Sequence, residues 1–324
     1  MAGREFHHGP YLYTHEDPDI DAVSSLWGSV RFVPGMKDAR IILVSGNWDG
    51  IGMRDCDMAV DVRAGGRGIK GELETLPDGK AIIHSSFKYI IDHYAPEDDR
   101  KALLPWVRFI DLQDSRGSAV GELVRSTNDP DAMWILSMST FSAVLAALKL
   151  VHGKSSLVVI QRVFEIFDGF LEIGRGNVRA EKEADQAQLF GGGQVALVTD
   201  KKEVRTDHVL WERGVVAIVF VEGNNIGVLR TRHDRGGVLC NDGSLFSASH
   251  PRLLEIISKA GETVGDFSAD WFAHPSGFLF CHGSRKAMAK YPSKVSPMDL
   301  VHTLVELLGI PEEPEGDGPI CGLD

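Results

Sequence analysis

Residues 11–25 read YLYTHEDPDIDAVSS, which joins the end of an apolar strand to the start of a helix. His15 stands where the strand ends, and Asp19 and Asp21 are two positions apart, so an extended backbone turns both carboxylates to one side. The helix beginning near Ala22 directs the positive end of its dipole at the same region. The stretch predicts a divalent-metal site beside a phosphate-facing helix N-terminus. Ordinary turn and N-cap chemistry is the alternative reading of Asp-Pro-Asp.

The order of strand and helix patterns predicts an α/β fold, with a parallel-sheet N-terminal domain and a smaller α+β C-terminal domain. The first half predicts strands at 40–46, 58–62 and 80–84, and helices at 87–94, 104–112, 131–150 and 155–190. The second half predicts strands at 194–199, 209–211, 215–221 and 227–232, and helices at 251–260 and 297–308. A charged helix end followed by three glycines at 191–193 is typical of a linker. It predicts domains 1–190 and 191–324.

Composition narrows the classes of partner. The chain has 324 residues, 43% hydrophobic and 25% charged, as in ordinary globular proteins. A net charge of −12 opposes duplex DNA as a partner but allows a nucleotide or short single strand in a local pocket. Residues 1–10 lack a signal-peptide core and no apolar run reaches membrane-spanning length, so a cytoplasmic protein without membrane contact is expected. The four cysteines form no Cys-x-x-Cys pair, so neither a zinc ribbon nor a disulfide framework is predicted. The apolar helices predicted at 131–170 would allow the protein to form a homodimer.

Two further aspartates lie where catalytic residues of an open α/β sheet collect, near the ends of predicted elements. Asp61 ends a strand and begins a glycine-rich run, and a run of apolar residues leads into Asp111. Metal-assisted phosphoester hydrolysis needs several carboxylates and imidazoles around a cation. The alternatives are that Asp61 caps a surface loop and that Asp111 pairs with Arg108 or Arg116.

The string from His15 to Ser25 resembles the first motif of the DHH phosphoesterase superfamily, a strand followed by His-x-x-x-Asp-x-Asp and a helix of small residues. The chain is most similar to the Myg1-like branch of that superfamily. The resemblance implies that His15, Asp19 and Asp21 are metal ligands, with Asp61 as the bridging aspartate of the second motif and Asp111 as the last metal aspartate. It also implies Mn²⁺ or Mg²⁺ as the cofactor, a metal-binding first domain and a substrate-binding second domain.

The third motif of that superfamily, Asp-His-His, is degenerate in this chain. In one frame Asp92-His93-Tyr94 is its counterpart, with the last histidine lost. In a competing frame the triplet falls near residues 69–72, neither histidine survives, and Lys70 places an ammonium where a cation normally lies. His84, which ends a predicted strand, is then a partial replacement. His84 and His93 are the candidate catalytic imidazoles, while a hydrogen-bonded surface histidine is the ordinary reading of either.

In the second domain, residues 272–278 read FAHPSGF and resemble a strand near the C-terminus of Myg1-like proteins. Backbone amides and basic side chains suit the binding of phosphate. The predicted substrate-binding residues are His274, Ser276, Gly277, His282, Gly283, Ser284, Arg285 and Lys286. The alternative is an apolar core strand that ends in a polar turn.

These patterns predict a hydrolase: a metal-dependent phosphoesterase acting on a nucleotide, a short single-stranded nucleic acid or another small phosphorylated compound. Because the Asp-His-His triplet is degenerate, the alternative is a protein of the same fold that binds a nucleotide or phosphate without hydrolysing it. Whether the chain is an enzyme is left open by its sequence.

Overall fold

A computed structural model of the protein describes residues 9–71, 73–75, 81–116, 141–154, 156–230, 239–265, 269–283 and 288–309. The chain divides into two compact units, Met1–Arg175 and Gly176–Asp324. Both helices and strands are present in each unit, and the α/β class predicted from the sequence is confirmed. The boundary between the units lies at 175/176, inside the helix Leu157–Asp185, whereas the glycines at 191–193 predict a domain boundary at 190/191. No helix among the described residues has the length and apolar character needed to cross a membrane.

The first unit is built on a parallel sheet of three strands in the order β2-β1-β3. A separate antiparallel pair joins β4 to β5, so the predicted strand at 80–84 exists but lies outside the parallel sheet. The elements are β1 (Tyr11–His15), α1 (Ile20–Phe32), β2 (Arg40–Val44), β3 (Met58–Ala59), β4 (Leu73–Thr75), β5 (Ala81–Ile83), α2 (Ser86–Tyr94), α3 (Glu97–Arg116), α4 (Phe141–His152) and α5 (Leu157–Asp185), whose last turns belong to the second unit. Residues 131–140 of a predicted helix lie outside the described residues.

Helix α1 is buried along most of its length because it packs between the sheet and α2. Its small residues make this possible: a Cβ at Gly28 would meet Ile90 at 3.2 Å. The buried hydroxyls of Ser24 and Ser29 donate to backbone carbonyls one turn earlier, at 2.5 and 2.7 Å, which removes the cost of burying them. The sequence Asp19 to Ser29 therefore fixes α1 firmly, and with it the first turn of the helix at the candidate site.

Asp57 anchors β3 beside β1. Its buried carboxylate accepts hydrogen bonds from the Tyr11 N–H at 2.8 Å and from the backbone and guanidinium of Arg54 at 2.8 and 2.7 Å. Burial alone would raise the pKa of Asp57, but these hydrogen bonds outweigh it and lower the pKa to about 2 from its usual 3.8. The depressed pKa means that the ionised form stabilises the folded state.

We expect Asp57→Asn to lower the free energy of unfolding at pH 7 by about 2 kcal/mol, the energy equivalent of the lowered pKa. The contribution is fully present above the unfolded pKa near 3.8 and is lost as the pH falls toward 2. Urea unfolding of both proteins between pH 7 and pH 2 measures it. Asp55→Asn is the control, since the side chain of Asp55 is fully exposed. A difference between wild type and Asp57→Asn that stays constant over this pH range would refute the account.

The second unit is built on a mixed sheet of seven strands in the order β10-β11-β12-β9-β8-β7-β6. Its β7–β8 and β10–β11 pairs are parallel and the other pairs are antiparallel. One face packs against α7 and α8 and the other against α6. The elements are β6 (Gln188–Phe190), β7 (Val195–Val198), α6 (Thr206–Glu212), β8 (Ala217–Glu222), β9 (Asn225–Arg230), α7 (Pro251–Lys259), β10 (Val264–Gly265), β11 (Trp271–Ala273), β12 (Leu279–His282) and α8 (Pro297–Leu308).

Two predicted elements in this region are wrong. Residues 209–211, predicted as a strand, belong to helix α6, where Thr206 and Leu210 are buried four positions apart, as on one helical face. Residues 188–190, predicted as the end of a helix, form β6 and pair with β7. The glycines at 191–193 all have positive φ and close the turn of this hairpin. A three-residue apolar run is too short to distinguish helical from strand periodicity.

Candidate metal centre

The candidate site lies at the carboxyl ends of two neighbouring parallel strands. His15 is the last residue of β1. Asp61 lies two residues beyond the end of β3, and Val60 between them still pairs with β1, because its N–H donates to the Tyr13 carbonyl. Because β1 and β3 are parallel, both residues come to the same edge of the sheet. Asp19 is the N-cap of α1, the helix that follows β1. The local sequence thus delivers all three side chains to one edge.

His15, Asp19 and Asp61 each present one ligand atom, and these three atoms lie within 4.8 Å of one another. Around one hard divalent cation at about 2.1 Å, adjacent ligands are about 3 Å apart and opposite ligands about 4.2 Å apart. The observed spacing is therefore close to that of a shared cation. Within the described residues, neither Asp21 nor Asp111 belongs to this group.

The hydrogen bonds of His15 determine which of its nitrogens faces the site. Nδ1 lies 2.8 Å from the carbonyl oxygen of Glu16, which can only accept, so Nδ1 carries a hydrogen. Nε2 faces the Asp61 carboxylate at 3.1 Å. The carboxylate can only accept, so this hydrogen bond requires a proton on Nε2, and a metal ion bound by both side chains would replace that proton. The hydrogen bond to Asp61 raises the pKa of His15 against the opposing effect of burial.

Asp19 keeps an oxygen atom available to the site, whereas the two oxygens of Asp61 face His15 and Lys70. The Oδ1 atom of Asp19 accepts the Ala22 N–H at 3.0 Å, and the side chain is otherwise exposed. Asp61 has a positive φ of 52°, a conformation that aspartate tolerates better than most residues. Its Oδ1 atom lies 3.6 Å from the ammonium of Lys70, whose side chain is half exposed. Lys70 would therefore compete with any metal ion that binds Asp61.

Asp21 is placed differently from its prediction as a ligand. Asp21 is 3% exposed, and its carboxylate accepts hydrogen bonds from the backbone N–H groups of Ser86 and Phe87, both at 3.0 Å. The Ser25 hydroxyl donates to it at 3.3 Å. Both oxygens of Asp21 are thus hydrogen-bonded to the first turn of α2, and its role in the described structure is to attach that helix to α1.

Asp111 also departs from its predicted position among the ligands. Its Oδ1 atom accepts from the Ser85 backbone N–H at 2.8 Å and from the Ser85 hydroxyl at 2.5 Å. Its Oδ2 atom lies 3.0 Å from Nδ1 of His84. Asp111 therefore orients an imidazole, as carboxylates behind catalytic or metal-bound histidines do. A Cβ at Gly71 would meet the carbonyl oxygen of His84 at 1.4 Å, so this pair lies against the segment that carries Lys70.

His93 lies on the exposed side of α2. Its Nδ1 donates to the Tyr89 carbonyl at 2.8 Å, and its ring stacks on Tyr89 with centroids 3.9 Å apart. Among the described residues, His93 belongs neither to the group of His15, Asp19 and Asp61 nor to the pair of His84 and Asp111. The hydrogen-bonded surface histidine considered for this position matches the observed contacts.

A cavity of about 320 Å³ adjoins the candidate group at Asp19. It is lined by Asp19, Ile20, Asp21, Gln113, Leu145, Ala146 and Lys149. Lys149 binds Asp17 at 2.6 Å and lowers the pKa of that carboxyl group. Lys149 was not predicted as a site residue, because it lies 132 positions from Asp17 in the sequence, within an apolar helical pattern. The cavity thus combines a cationic side chain with the carboxylate edge.

Those predicted substrate-binding residues that the structure describes lie between β11 and β12 or at the end of β12. His274 and Ser276 hydrogen-bond to each other at 2.9 Å, and Gly277 has a positive φ of 67° at the same turn. His282 ends β12, is 8% exposed, and its Nδ1 has no hydrogen-bond partner among the described residues. Gly283 follows with a φ of 73°. Ser284, Arg285 and Lys286 lie outside the described residues.

Comparisons with known proteins assign no family. No protein-family model matches the chain, and no curated protein matches it. Among solved structures, the crystal structure of an uncharacterized protein from Helicobacter pylori G27 matches 92% of this chain and 99% of its own, with 9% identity and a TM-score of 0.22. A TM-score this low supports no conclusion about fold or function. The function must therefore be inferred from the site itself.

Proposed function

We propose that the protein is a divalent-metal-dependent phosphoesterase of the DHH type, acting on a nucleotide, a short single-stranded nucleic acid or another small phosphorylated compound. The observation that carries this proposal is the convergence of His15, Asp19 and Asp61 at the carboxyl edge of a parallel sheet, with ligand atoms within 4.8 Å of one another. Ligands in open α/β folds bind at this edge.

The donor set fits one cation. Two carboxylates and one imidazole suit Mn²⁺ better than Mg²⁺, which prefers a shell of oxygen atoms. The bond from Nδ1 of His15 to the Glu16 carbonyl presets the tautomer that leaves Nε2 for a metal. When bound, a divalent cation would supply Lewis-acid chemistry, polarising a phosphate oxygen and acidifying water.

The chain's own residues supply the remaining functions. Lys149 lies at the cavity beside Asp19, and its ammonium, now paired with Asp17 at 2.6 Å, would turn to a substrate phosphate that needs charge compensation. The N-terminus of α1 faces the same region with its dipole. His84, oriented by Asp111, is the group we assign to proton transfer to the leaving oxygen. His93 has no role in this proposal, since its contacts are to Tyr89.

A second candidate function is a protein that binds a phosphate compound without hydrolysing it. The observation in its favour is the ion pair between Lys70 and Asp61, 3.6 Å apart. An ammonium tethered at this carboxylate can take over the charge compensation that a metal ion would provide. In this case the phosphate would bind to Lys70 and Lys149 directly.

Lys70→Met distinguishes the two candidates. For the metalloenzyme, removing the ammonium is expected to increase Mn²⁺ affinity about 5-fold to 10-fold, since a charge 3.6 Å away in high dielectric contributes about 1 kcal/mol. Isothermal titration with Mn²⁺ measures this change. For the non-hydrolytic protein, the same variant should bind inorganic phosphate more weakly.

Lys101→Met is the matched control, because Lys101 is an exposed lysine paired with a carboxylate, Glu97, on α3. It should leave Mn²⁺ affinity unchanged. Unchanged or weaker Mn²⁺ binding by Lys70→Met would contradict the competition between lysine and metal.

The direct test of the enzyme is turnover of a phosphoester panel by purified, chelator-treated protein. Nucleoside monophosphates, short single-stranded oligonucleotides and a generic aryl phosphate would be assayed with Mn²⁺, with Mg²⁺ and with chelator alone. We expect hydrolysis that needs the metal and is strongest with Mn²⁺. Phosphate binding without turnover of any member would favour the second candidate.

A further inference from the structure

A second group of potential metal ligands lies in the second unit, built from a tight turn and a helix start. Leu239 and Leu245 form an antiparallel bridge, and inside it the Cys240 N–H donates to the Ser244 carbonyl at 2.8 Å. Asp242, at the tip, accepts the Ser244 N–H at 2.9 Å through Oδ1. His250 is the N-cap of α7.

Cys240, Asp242 and His250 present ligand atoms that all lie within 4.8 Å of one another. Cys240 is 5% exposed and His250 is 8% exposed, while Asp242 closes the group from the solvent side. With zinc–ligand bonds of about 2.0 to 2.3 Å, tetrahedral donors lie about 3.3 to 3.8 Å apart. A movement of about 1 Å per side chain therefore closes the group around one ion.

The turn that carries Cys240 and Asp242 is held by contacts of its own. The Asn241 N–H donates to the Leu307 carbonyl at 2.8 Å, and its side-chain amide donates to the Glu306 carbonyl at 3.3 Å. Both acceptors lie at the C-terminal end of α8. On the other side, Nδ1 of His250 accepts the Arg252 N–H at 3.3 Å, which is a long and weak hydrogen bond. A metal ion can therefore replace this bond at Nδ1 at little cost, or bind Nε2 and leave the bond in place.

We propose that Cys240, Asp242 and His250 form a zinc site, independent of the centre in the first unit, with three protein ligands and a fourth position for water or another ligand. A thiolate combined with imidazole and carboxylate selects Zn²⁺ over Mg²⁺, Ca²⁺ or Mn²⁺. The two centres thus differ in chemistry, since the ligands of the first contain no sulfur.

Titration of the reduced, metal-free protein with Co²⁺ as a zinc probe tests the proposal, because only a thiolate ligand gives an intense sulfur-to-cobalt charge-transfer absorption. We expect this absorption in the wild type, its displacement by Zn²⁺, and its loss in Cys240→Ser. Cys56→Ser is the matched control, since Cys56 is an exposed thiol of the first unit, and it should keep the absorption.

Two conservative variants test the other ligands without removing their structural bonds. Asp242→Asn keeps an acceptor for the Ser244 N–H, and His250→Asn keeps an N-cap for α7. Each should weaken Zn²⁺ binding at least about 10-fold while leaving the far-ultraviolet circular dichroism unchanged. The proposal is overturned if wild-type protein shows no charge-transfer absorption or if Cys240→Ser retains it. Unchanged Zn²⁺ affinity in both asparagine variants would overturn it as well.

Discussion

Asp61→Asn is expected to lower Mn²⁺ affinity at least about 100-fold, because losing even a group behind a metal ligand costs 10-fold to 100-fold. The substitution removes the negative charge that faces Nε2 of His15 at 3.1 Å and one of the three ligand atoms at the sheet edge. Asparagine accepts the positive φ of this position, so the backbone turn after β3 should persist. Phosphoester hydrolysis should fall with metal occupancy. Isothermal titration with Mn²⁺ and turnover at saturating substrate measure the two effects.

Asp200→Asn is the control for this experiment. It makes the same chemical change at another aspartate with positive φ, 56°, exposed and paired with Lys202 in the second unit. It should leave both metal affinity and turnover unchanged. If Asp61→Asn binds Mn²⁺ as tightly as the wild type, Asp61 is not a ligand and the proposed centre fails.

Asp21→Asn is expected to destabilise the protein by about 3 kcal/mol, because it leaves a buried backbone N–H of α2 facing an amide instead of a carboxylate oxygen. Asp21 accepts from both Ser86 and Phe87, so one of these two hydrogen bonds must be lost. Since Asp21 is not part of the ligand group among the described residues, Mn²⁺ affinity of the folded variant should change less than about 3-fold. Urea unfolding and metal titration at low temperature separate the two effects.

Ser25→Ala provides the scale for that measurement. It removes only the 3.3 Å hydrogen bond from the Ser25 hydroxyl to Asp21 and should cost about 1 kcal/mol or less. A large loss of Mn²⁺ affinity in Asp21→Asn, with stability close to that of the wild type, would restore Asp21 as a ligand and refute its structural role.

In the first unit, the features that depend on residues adjacent in the sequence could be predicted. The strand β1 and a helix of small residues after it follow from adjacent positions, and both are present. Helix α1 begins at Ile20 rather than near Ala22, and Asp19 is its N-cap, which was the alternative reading of Asp-Pro-Asp. His15 and Asp61 could be predicted to share an edge, since the ends of parallel strands meet there. The bounds of α8 were also predicted correctly, because Ser296 caps it and Gly309 ends it.

The hydrogen-bond partners of Asp21 and Asp111 could not be predicted, because they belong to parts of the chain that are distant in sequence. Asp21 binds N–H groups 65 and 66 positions away, and Asp111 binds residues 26 and 27 positions away. A carboxylate two residues from a ligand has the same local signal whether it binds a metal or a helix N-terminus. Lys149 was missed for the same reason.

The group of Cys240, Asp242 and His250 in the second unit was also not predicted from the sequence. Cys240, Asp242 and His250 have no recognised ligand spacing, and their convergence depends on the turn at 239–245 and the start of α7. Likewise, the helix at Thr206–Glu212 forms because tertiary burial of Thr206 and Leu210 outweighs the strand preference of valine and tryptophan.

Crystals of the protein soaked with Mn²⁺ and measured at a wavelength where manganese scatters anomalously would test the central claim most directly. The account predicts an anomalous peak bonded to Nε2 of His15 and to carboxylate oxygens of Asp19 and Asp61, at about 2.0 to 2.3 Å, at the carboxyl edge of the β2-β1-β3 sheet. Absence of a peak there, with the Lys70 ammonium remaining on Asp61 at saturating Mn²⁺, would contradict it.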